Sequence, residues 1–224
     1  MYNYKYQDGI IIADIDGKQC LIDTGAPNSM GVGEIRVDGI AHRLGGDTFM
    51  GASLESISEQ VGTPLDALIG GDILSAHEGL YVWLRKNEIS FTNNVGGEGI
   101  PLELFMTIPI IPITIQGQEV QAFVDTGAKQ SYLDTSIARD LPSEETGTDY
   151  YPGVGTFDVP LVSAEYKDPT GTGTAVLKFG ILPDALAPLI AMAGCKAILG
   201  MDWLINNGKN HFQVNYSDRK FTNY

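Results

Sequence analysis

The sequence is short of cysteine, histidine and basic residues, and each shortage excludes something. Cys20 and Cys195 are the two cysteines in 224 residues, so at most one disulfide can form and a disulfide-stapled fold is excluded. A pair so sparse fits free thiols in a reducing compartment. His42, His77 and His211 stand far apart without metal-ligand spacing, so no metal site is expected and no cofactor is implied. Gly31-Val32-Gly33 lacks the third glycine and the helix of a dinucleotide fingerprint. Lys and Arg number 14 against 28 Asp and Glu, a net charge of −14, and form no cluster, so nucleic acid is not an expected partner. No segment approaches ~18 uninterrupted apolar residues, and Pro109 and Pro112 break the most apolar run, so no membrane association is expected. Met1 to Asp8 has no apolar stretch of signal-peptide length, which makes a soluble, cytoplasmic chain the expectation.

Glycine, by contrast, is plentiful: 27 residues, well above the usual ~7%. With 43% hydrophobic residues the chain can bury a core, and the glycines point to many tight turns, hence to β structure. The chain also contains itself twice. Asp23-Thr24-Gly25-Ala26 recurs as Asp125-Thr126-Gly127-Ala128, 102 positions later. Ile15 to Gln19 is matched by Ile115 to Glu119, and Gly45, Thr48 and Phe49 by Gly153, Thr156 and Phe157. Leu68-Ile69-Gly70 then corresponds to Ile198-Leu199-Gly200, 130 positions later. The order is the same in both copies and the offset only grows, as insertions in the second copy would produce. Two copies are too few for a solenoid, and a two-lobed, pseudo-twofold molecule is the natural alternative.

Each copy reads locally as β. Ile10 to Ile22 is expected to form a hairpin around Asp16-Gly17, and Ile110 to Val124 another around Gln116-Gly117. Each delivers its second strand straight into Asp-Thr-Gly. Short helices are expected at Leu54 to Val61, Asp72 to Ala76, Asp184 to Ala193 and Asp202 to Asn206, with Asp72 and Asp202 as helix caps. The glycine-rich stretch Asn93 to Gly99 is the linker. It divides the chain into a first lobe (1–93), a linker and interlobe strand (94–107) and a second lobe (108–224).

One Asp-Thr-Gly at a strand end is usually only a turn. Two identical copies related by a twofold axis place Asp23 opposite Asp125. Carboxylates about 3 Å apart cannot both ionise, so such a pair shares one proton over a wide pH range. The charged member then serves as general base on a water held between the two, and the protonated member polarises the carbonyl under attack. Gly25 and Gly127 let the backbone pass close to the carboxylates, and the Thr24 and Thr126 hydroxyls can bond across to the opposite loop.

On these motifs the sequence resembles the aspartic proteases of the retropepsin–pepsin superfamily. The pattern is a hydrophobic residue followed by Asp-Thr-Gly-Ala, then a later hydrophobic pair followed by Gly: Ile22 to Ala26 with Leu68-Ile69-Gly70, and Val124 to Ala128 with Ile198-Leu199-Gly200. The resemblance implies an all-β, bilobal acid-protease-type barrel with a few short helices, two retropepsin-like lobes in one chain. It implies an aspartic endopeptidase with Asp23 and Asp125 as catalytic pair. Thr24, Gly25, Thr126 and Gly127 support that pair, Ile69, Gly70, Leu199 and Gly200 form the hydrophobic-Gly motif, and the partner is a peptide or protein substrate. Retropepsins resemble one half of this chain and dimerise to complete their site, so a chain with both halves is expected to be a monomer. Such enzymes close a glycine-bearing hairpin flap over substrate. Tyr150 to Phe157 is the flap candidate, so Tyr150, Tyr151, Gly153, Val154 and Gly155, with Ala26 and Ala128, are the expected substrate-binding residues. The counterpart at Arg43 to Phe49 is too short, and a single flap from the second lobe is expected. Terminal strands that interleave in this family correspond to Tyr2 to Gln7, Pro101 to Phe105 and Lys220 to Tyr224.

A glycosidase also uses paired carboxylates, but at about 5–9 Å and in distinct environments, which identical flanking sequences do not favour. The alternative from another class is a protease-like fold kept as a catalytically silent peptide-binding or interaction module.

Overall fold

The computed structural model describes residues 1–46, 48–49, 51–92, 98–151, 155–171, 173–206 and 209–223. The fold is all-β with a few short helices. Each half opens with the same device. Ile10–Ile15 pairs antiparallel with Lys18–Ile22, and Ile108–Ile115 with Gln118–Val124. The central turn residues have positive φ in both, 56° and 73° at Asp16-Gly17 and 49° and 73° at Gln116-Gly117. This two-residue geometry matches the twist of the flanking strands, and glycine takes the second position without a Cβ clash.

The second strand of each hairpin then lies parallel to a later strand, Lys18–Ile22 beside Ala67–Ile69 and Gln118–Val124 beside Cys195–Leu199. Parallel neighbours require a long crossover, and the two crossovers differ. The first carries the helix Leu54–Val61, opened by the Ser53 side chain accepting the Ser56 N–H and closed by Gly62 in the left-handed region. The second carries a long hairpin, Ser143–Tyr151 against Gly155–Lys167, and the strand Thr174–Ile181. Ile115 pairs with Tyr166 and so closes a six-stranded ring in the second half.

A ten-stranded sheet joins the halves. Its junction is Gly79–Trp83 against His211–Asn215, reinforced by Ile100–Pro101 against Lys220–Asn223. The expectation for the terminal strands holds in part: Pro101 pairs with Lys220, and Tyr2–Gln7 and Lys220–Asn223 lie in this one sheet. Tyr2–Gln7, however, pairs with Glu88–Ser90 and Ile10–Ile15 of the first half rather than across the junction, and Glu103–Phe105 pairs with Ile108–Ile115 in the other sheet. The reason is burial: Leu80, Val82, Phe212 and Val214 are fully enclosed at the junction, whereas Asn3, Lys5 and Tyr6 face solvent. One apolar cluster runs across both halves, from Ile11, Leu80 and Phe91 to Ile111, Trp203 and Phe221. Trp203 stacks on Phe221 at 5.7 Å within it. Cys20 and Cys195 are both buried and free.

Among the described residues the other helices are Gly71–Ala76, Thr135–Ala138, Ala187–Met192 and Met201–Leu204. Thr135–Ala138, capped by Asp134, was not anticipated. Asp72 and Asp202 are not N-caps: Gly70 and Gly200 hold those positions without a side-chain cap. Among the described residues no helix is long and apolar enough to cross a membrane.

Candidate active site

Asp23 and Asp125 each leave the end of a buried strand, their amides donating to Ile69 O at 3.0 Å and Leu199 O at 2.9 Å. The loops that follow are built alike. Asp23 Oδ1 accepts the N–H of Gly25 at 2.8 Å and of Ala26 at 3.1 Å. Asp125 Oδ1 accepts those of Gly127 at 2.9 Å and Ala128 at 3.2 Å. Two amides on one carboxylate oxygen fix its orientation and leave the other oxygen free to meet its counterpart. The two carboxyls meet at the floor of a cleft, each set against the backbone of the opposite glycine.

The glycines are required by this approach. A Cβ on Gly25 would collide with the Asp125 carboxyl, and one on Gly127 with that of Asp23. Below the carboxyls the threonines cross over. The Thr24 hydroxyl donates to Val124 O at 2.7 Å and accepts the Thr126 N–H at 3.0 Å; the Thr126 hydroxyl donates to Ile22 O at 2.8 Å and accepts the Thr24 N–H at 3.1 Å. Both are fully buried, so these four bonds are shielded from water.

The hydrophobic-Gly motifs lie behind the loops. Ile69 and Leu199 are buried in the strand ends. Gly70 and Gly200 pass so close to Ala26 O and Ala128 O that a Cβ would lie 2.6 and 2.7 Å from them. A serine in each half, missed by sequence reasoning, completes the support. Ser29 Oγ accepts the Gly70 N–H at 2.9 Å and donates to Asp72 at 2.6 Å. Ser131 Oγ accepts the Gly200 N–H at 2.9 Å and donates to Asp202 at 2.5 Å. Asp72 and Asp202 thus tie loop to helix. The signal was available: Ser29 and Ser131 stand 102 positions apart, the offset of Asp-Thr-Gly-Ala itself.

Burial dominates the electrostatics. It pushes Asp23 well above the ordinary carboxylate range, with the Asp125 charge and their mutual hydrogen bond adding to it against the Gly25 and Ala26 amides. Asp125 is also raised by burial, but the Gly127 amide and the bond from Asp23 oppose the shift. The pair therefore retains one shared proton well above the ordinary carboxylate range.

Two pockets flank the pair, and both are lined by Gly25, Asp125, Tyr151, Leu186 and Ile198. One extends over Ile57, Gln60 and Val61 of the first-half helix to Lys129, Tyr132 and Tyr150. The other is almost wholly apolar, with Phe105, Ile108, Phe123 and Leu189. Tyr150 and Tyr151 end the first strand of the long hairpin and stand over the cleft; burial and the charges of Asp125 and Asp23 push the Tyr151 phenol far up. Gly155, at φ 85°, starts the return strand and lines neither cavity. Gly153 and Val154 lie outside the described residues. Ala128 lines the cleft, but Ala26 does not: its side chain is fully buried among Ile12, Met30 and Leu68. In the first half the described residues of the corresponding segment form the short pair Thr48–Phe49 with Ala52–Ser53, and the helix Leu54–Val61 borders the cleft.

No protein-family model and no curated protein matches the chain. Among solved structures it is similar over about half its length to three proteases or protease-like domains. A retropepsin-like aspartic protease from Rickettsia conorii shares 16% identity over 54% of this chain and 91% of its own, with a TM-score of 0.36. The retroviral protease-like domain of Ddi1 from Leishmania major shares 19% over 52% and 94%, with a TM-score of 0.32. The EIAV protease in complex with the inhibitor HBY-793 shares 20% over 52% and 94%, with a TM-score of 0.28.

Proposed function

We propose that the chain is an aspartic endopeptidase, each half contributing one carboxyl to a single site. The observation that carries this reading is the facing Asp23–Asp125 carboxyl pair, held on two matching loops and cross-tied by Thr24 and Thr126. A carboxyl pair with one proton supplies a base and an acid at the same point. The charged member takes a proton from a water held between the two. The water oxygen bonds to the scissile carbonyl carbon, and the protonated member gives its proton to the carbonyl oxygen, forming a tetrahedral diol. As the C–N bond breaks, the proton taken from the water passes to the leaving nitrogen, a diol hydroxyl returns its proton to the carboxylate that had protonated the carbonyl, and the pair again holds one proton. The two cavities on either side of the pair suit an extended peptide lying through the cleft under the Ser143–Tyr151 hairpin, with its side chains entering apolar space. Both lobes in one chain make a monomer the working form, with no second copy needed to complete the site.

A peptide library assayed across pH, with and without a statine-containing inhibitor, tests the reading. Cleavage between apolar residues, suppressed by the inhibitor, is expected. Inhibitor binding without cleavage would favour the silent binding module, and neither would refute the assignment.

A further inference from the structure

Among the described residues Ser143–Tyr151 is the terminal strand of its sheet, paired only with the other arm of its hairpin, yet it ends in a tyrosine that stands over the two carboxyls. Two residues before that tyrosine, Asp149 turns inward. Its carboxylate accepts a hydrogen bond from the Tyr132 hydroxyl and another from the Tyr150 N–H at 2.8 Å, and Lys129 Nζ lies 3.7 Å away. Asp149 is 9% exposed and Tyr132 5%, so the bond between them is shielded.

The Tyr132 end is rigid. Tyr132 pairs with Gly180 on one side and Ile198 on the other, next to the loop that carries Asp125. Its ring lies against Gly180, where a Cβ would approach within 2.6 Å, so glycine there makes room for this side chain. Lys129 extends the connection to the first half. Its stem covers the Asp8-Gly9 turn, where Gly9 (φ 83°) has no space for a side chain. The strand Ser143–Tyr151 is thereby fastened, two residues short of Tyr151, to the bed of the site and to the opposite half.

We propose that Tyr132 and Asp149 form a latch that positions Tyr151 over the carboxyl pair and sets how tightly the cleft holds an extended peptide. This deepens the endopeptidase reading and rests on it. Both are positioning residues, acting through the hairpin. An unlatched hairpin spends part of its time away from the cleft, and apparent affinity falls by the fraction of time it is closed. Once peptide has closed it, the chemistry is unchanged.

The test compares the wild-type chain with Tyr132→Phe, Asp149→Asn and the double variant. Glu145→Gln, which removes an exposed charge from the same hairpin, is the control. Three quantities are read: KM and kcat on a cleaved peptide, the Kd of a statine-containing peptide, and hydrogen exchange of the 143–151 amides. Each latch variant is expected to raise KM and Kd together by about tenfold with kcat little changed. The double variant adds little to either single one, exchange across 143–151 accelerates, and Glu145→Gln behaves as wild type. Unchanged KM and exchange would overturn the latch, and so would a lower kcat at constant KM, the mark of a purely structural role. Should wild-type protein cleave nothing, the endopeptidase reading fails alone. Exchange and statine-peptide affinity then decide the latch: unaltered values refute it, and faster exchange with weaker binding sustains it.

Discussion

The Thr24 hydroxyl donates to the carbonyl of Val124 and accepts the amide of Thr126, so one buried oxygen holds two points of the opposite loop. Thr126 does the same in return. Thr24→Val keeps the shape, removes both bonds and strands a buried carbonyl and a buried amide. A loss of about 2–4 kcal/mol in chemical denaturation is expected, at one to two for each stranded group. Thr24→Ser, which retains the hydroxyl, should recover most of it. Equal stability of the valine and serine variants would show that the crossed bonds hold nothing.

Gly25 and Gly127 make a sharper prediction, because a methyl group on either occupies the place of the opposite carboxyl. Gly25→Ala should separate Asp23 from Asp125 and lower peptide cleavage by ~100-fold or more, since a shift of about 1 Å at reacting groups costs that much. Gly17→Ala offers a contrast: its site is open, and only its φ of 73° resists the change. It should cost ~1 kcal/mol of stability and leave cleavage intact.

How much of this was legible in the sequence differs from element to element. The hairpins into Asp23 and Asp125 announced themselves, because Asp-Gly and Gln-Gly between apolar strands leave few other conformations. Asp23 and Asp125 were found through the repeat, which alone said that two distant turns belong together. The Ser29 and Ser131 ties lay in the same repeat, but a serine six residues past an aspartate has no local signature. The partnership of Tyr132 with Asp149 was not legible at all. It joins positions on different strands, and the register of a long hairpin decides it. Ala26 misled for a related reason, since its motif position does not say which way the side chain turns, and the structure turns it into the core.

Asp202 carries a pH dependence. Burial raises its carboxyl to about 6 against the bonds it accepts from Ser131 and Trp203. A folded-state value above the unfolded 3.8 means that the folded chain binds the proton more tightly. That contribution is complete below about pH 3.8 and disappears as pH rises through about 6. It amounts to about 3 kcal/mol, at 1.36 kcal/mol per unit. The Asp23–Asp125 pair, also raised, acts in the same direction. Denaturation of the wild type and Asp202→Asn between pH 4 and 7 should therefore show a smaller loss of stability on alkalinisation in the variant. Parallel curves would count against the assignment.

Lys209 and Asp168 form a largely buried ion pair of 2.7 Å, and the same ammonium group donates to Asn223 O at 2.9 Å. It fastens the turn after Gly155–Lys167 to the last strand. Burial alone would raise Asp168, but the bonds from Lys209 and Thr170 outweigh it and hold the carboxyl below its ordinary 3.8. The pair therefore stabilises above that value and lets go as pH falls through the lower folded-state value. Lys209→Met leaves a buried carboxylate unpaired and should cost about 3–5 kcal/mol near neutral pH. The penalty should shrink in acid, which thermal unfolding at pH 3 and pH 7 would reveal.

The central claim is that one carboxyl from each half performs one reaction together. Asp23→Asn and Asp125→Asn, made separately, keep the shape of the site and remove the shared proton chemistry. Cleavage of the best wild-type peptide should fall by ~1,000-fold or more in each, and the double variant should be no worse than either. Retention of near-wild-type cleavage in either single variant would contradict the account.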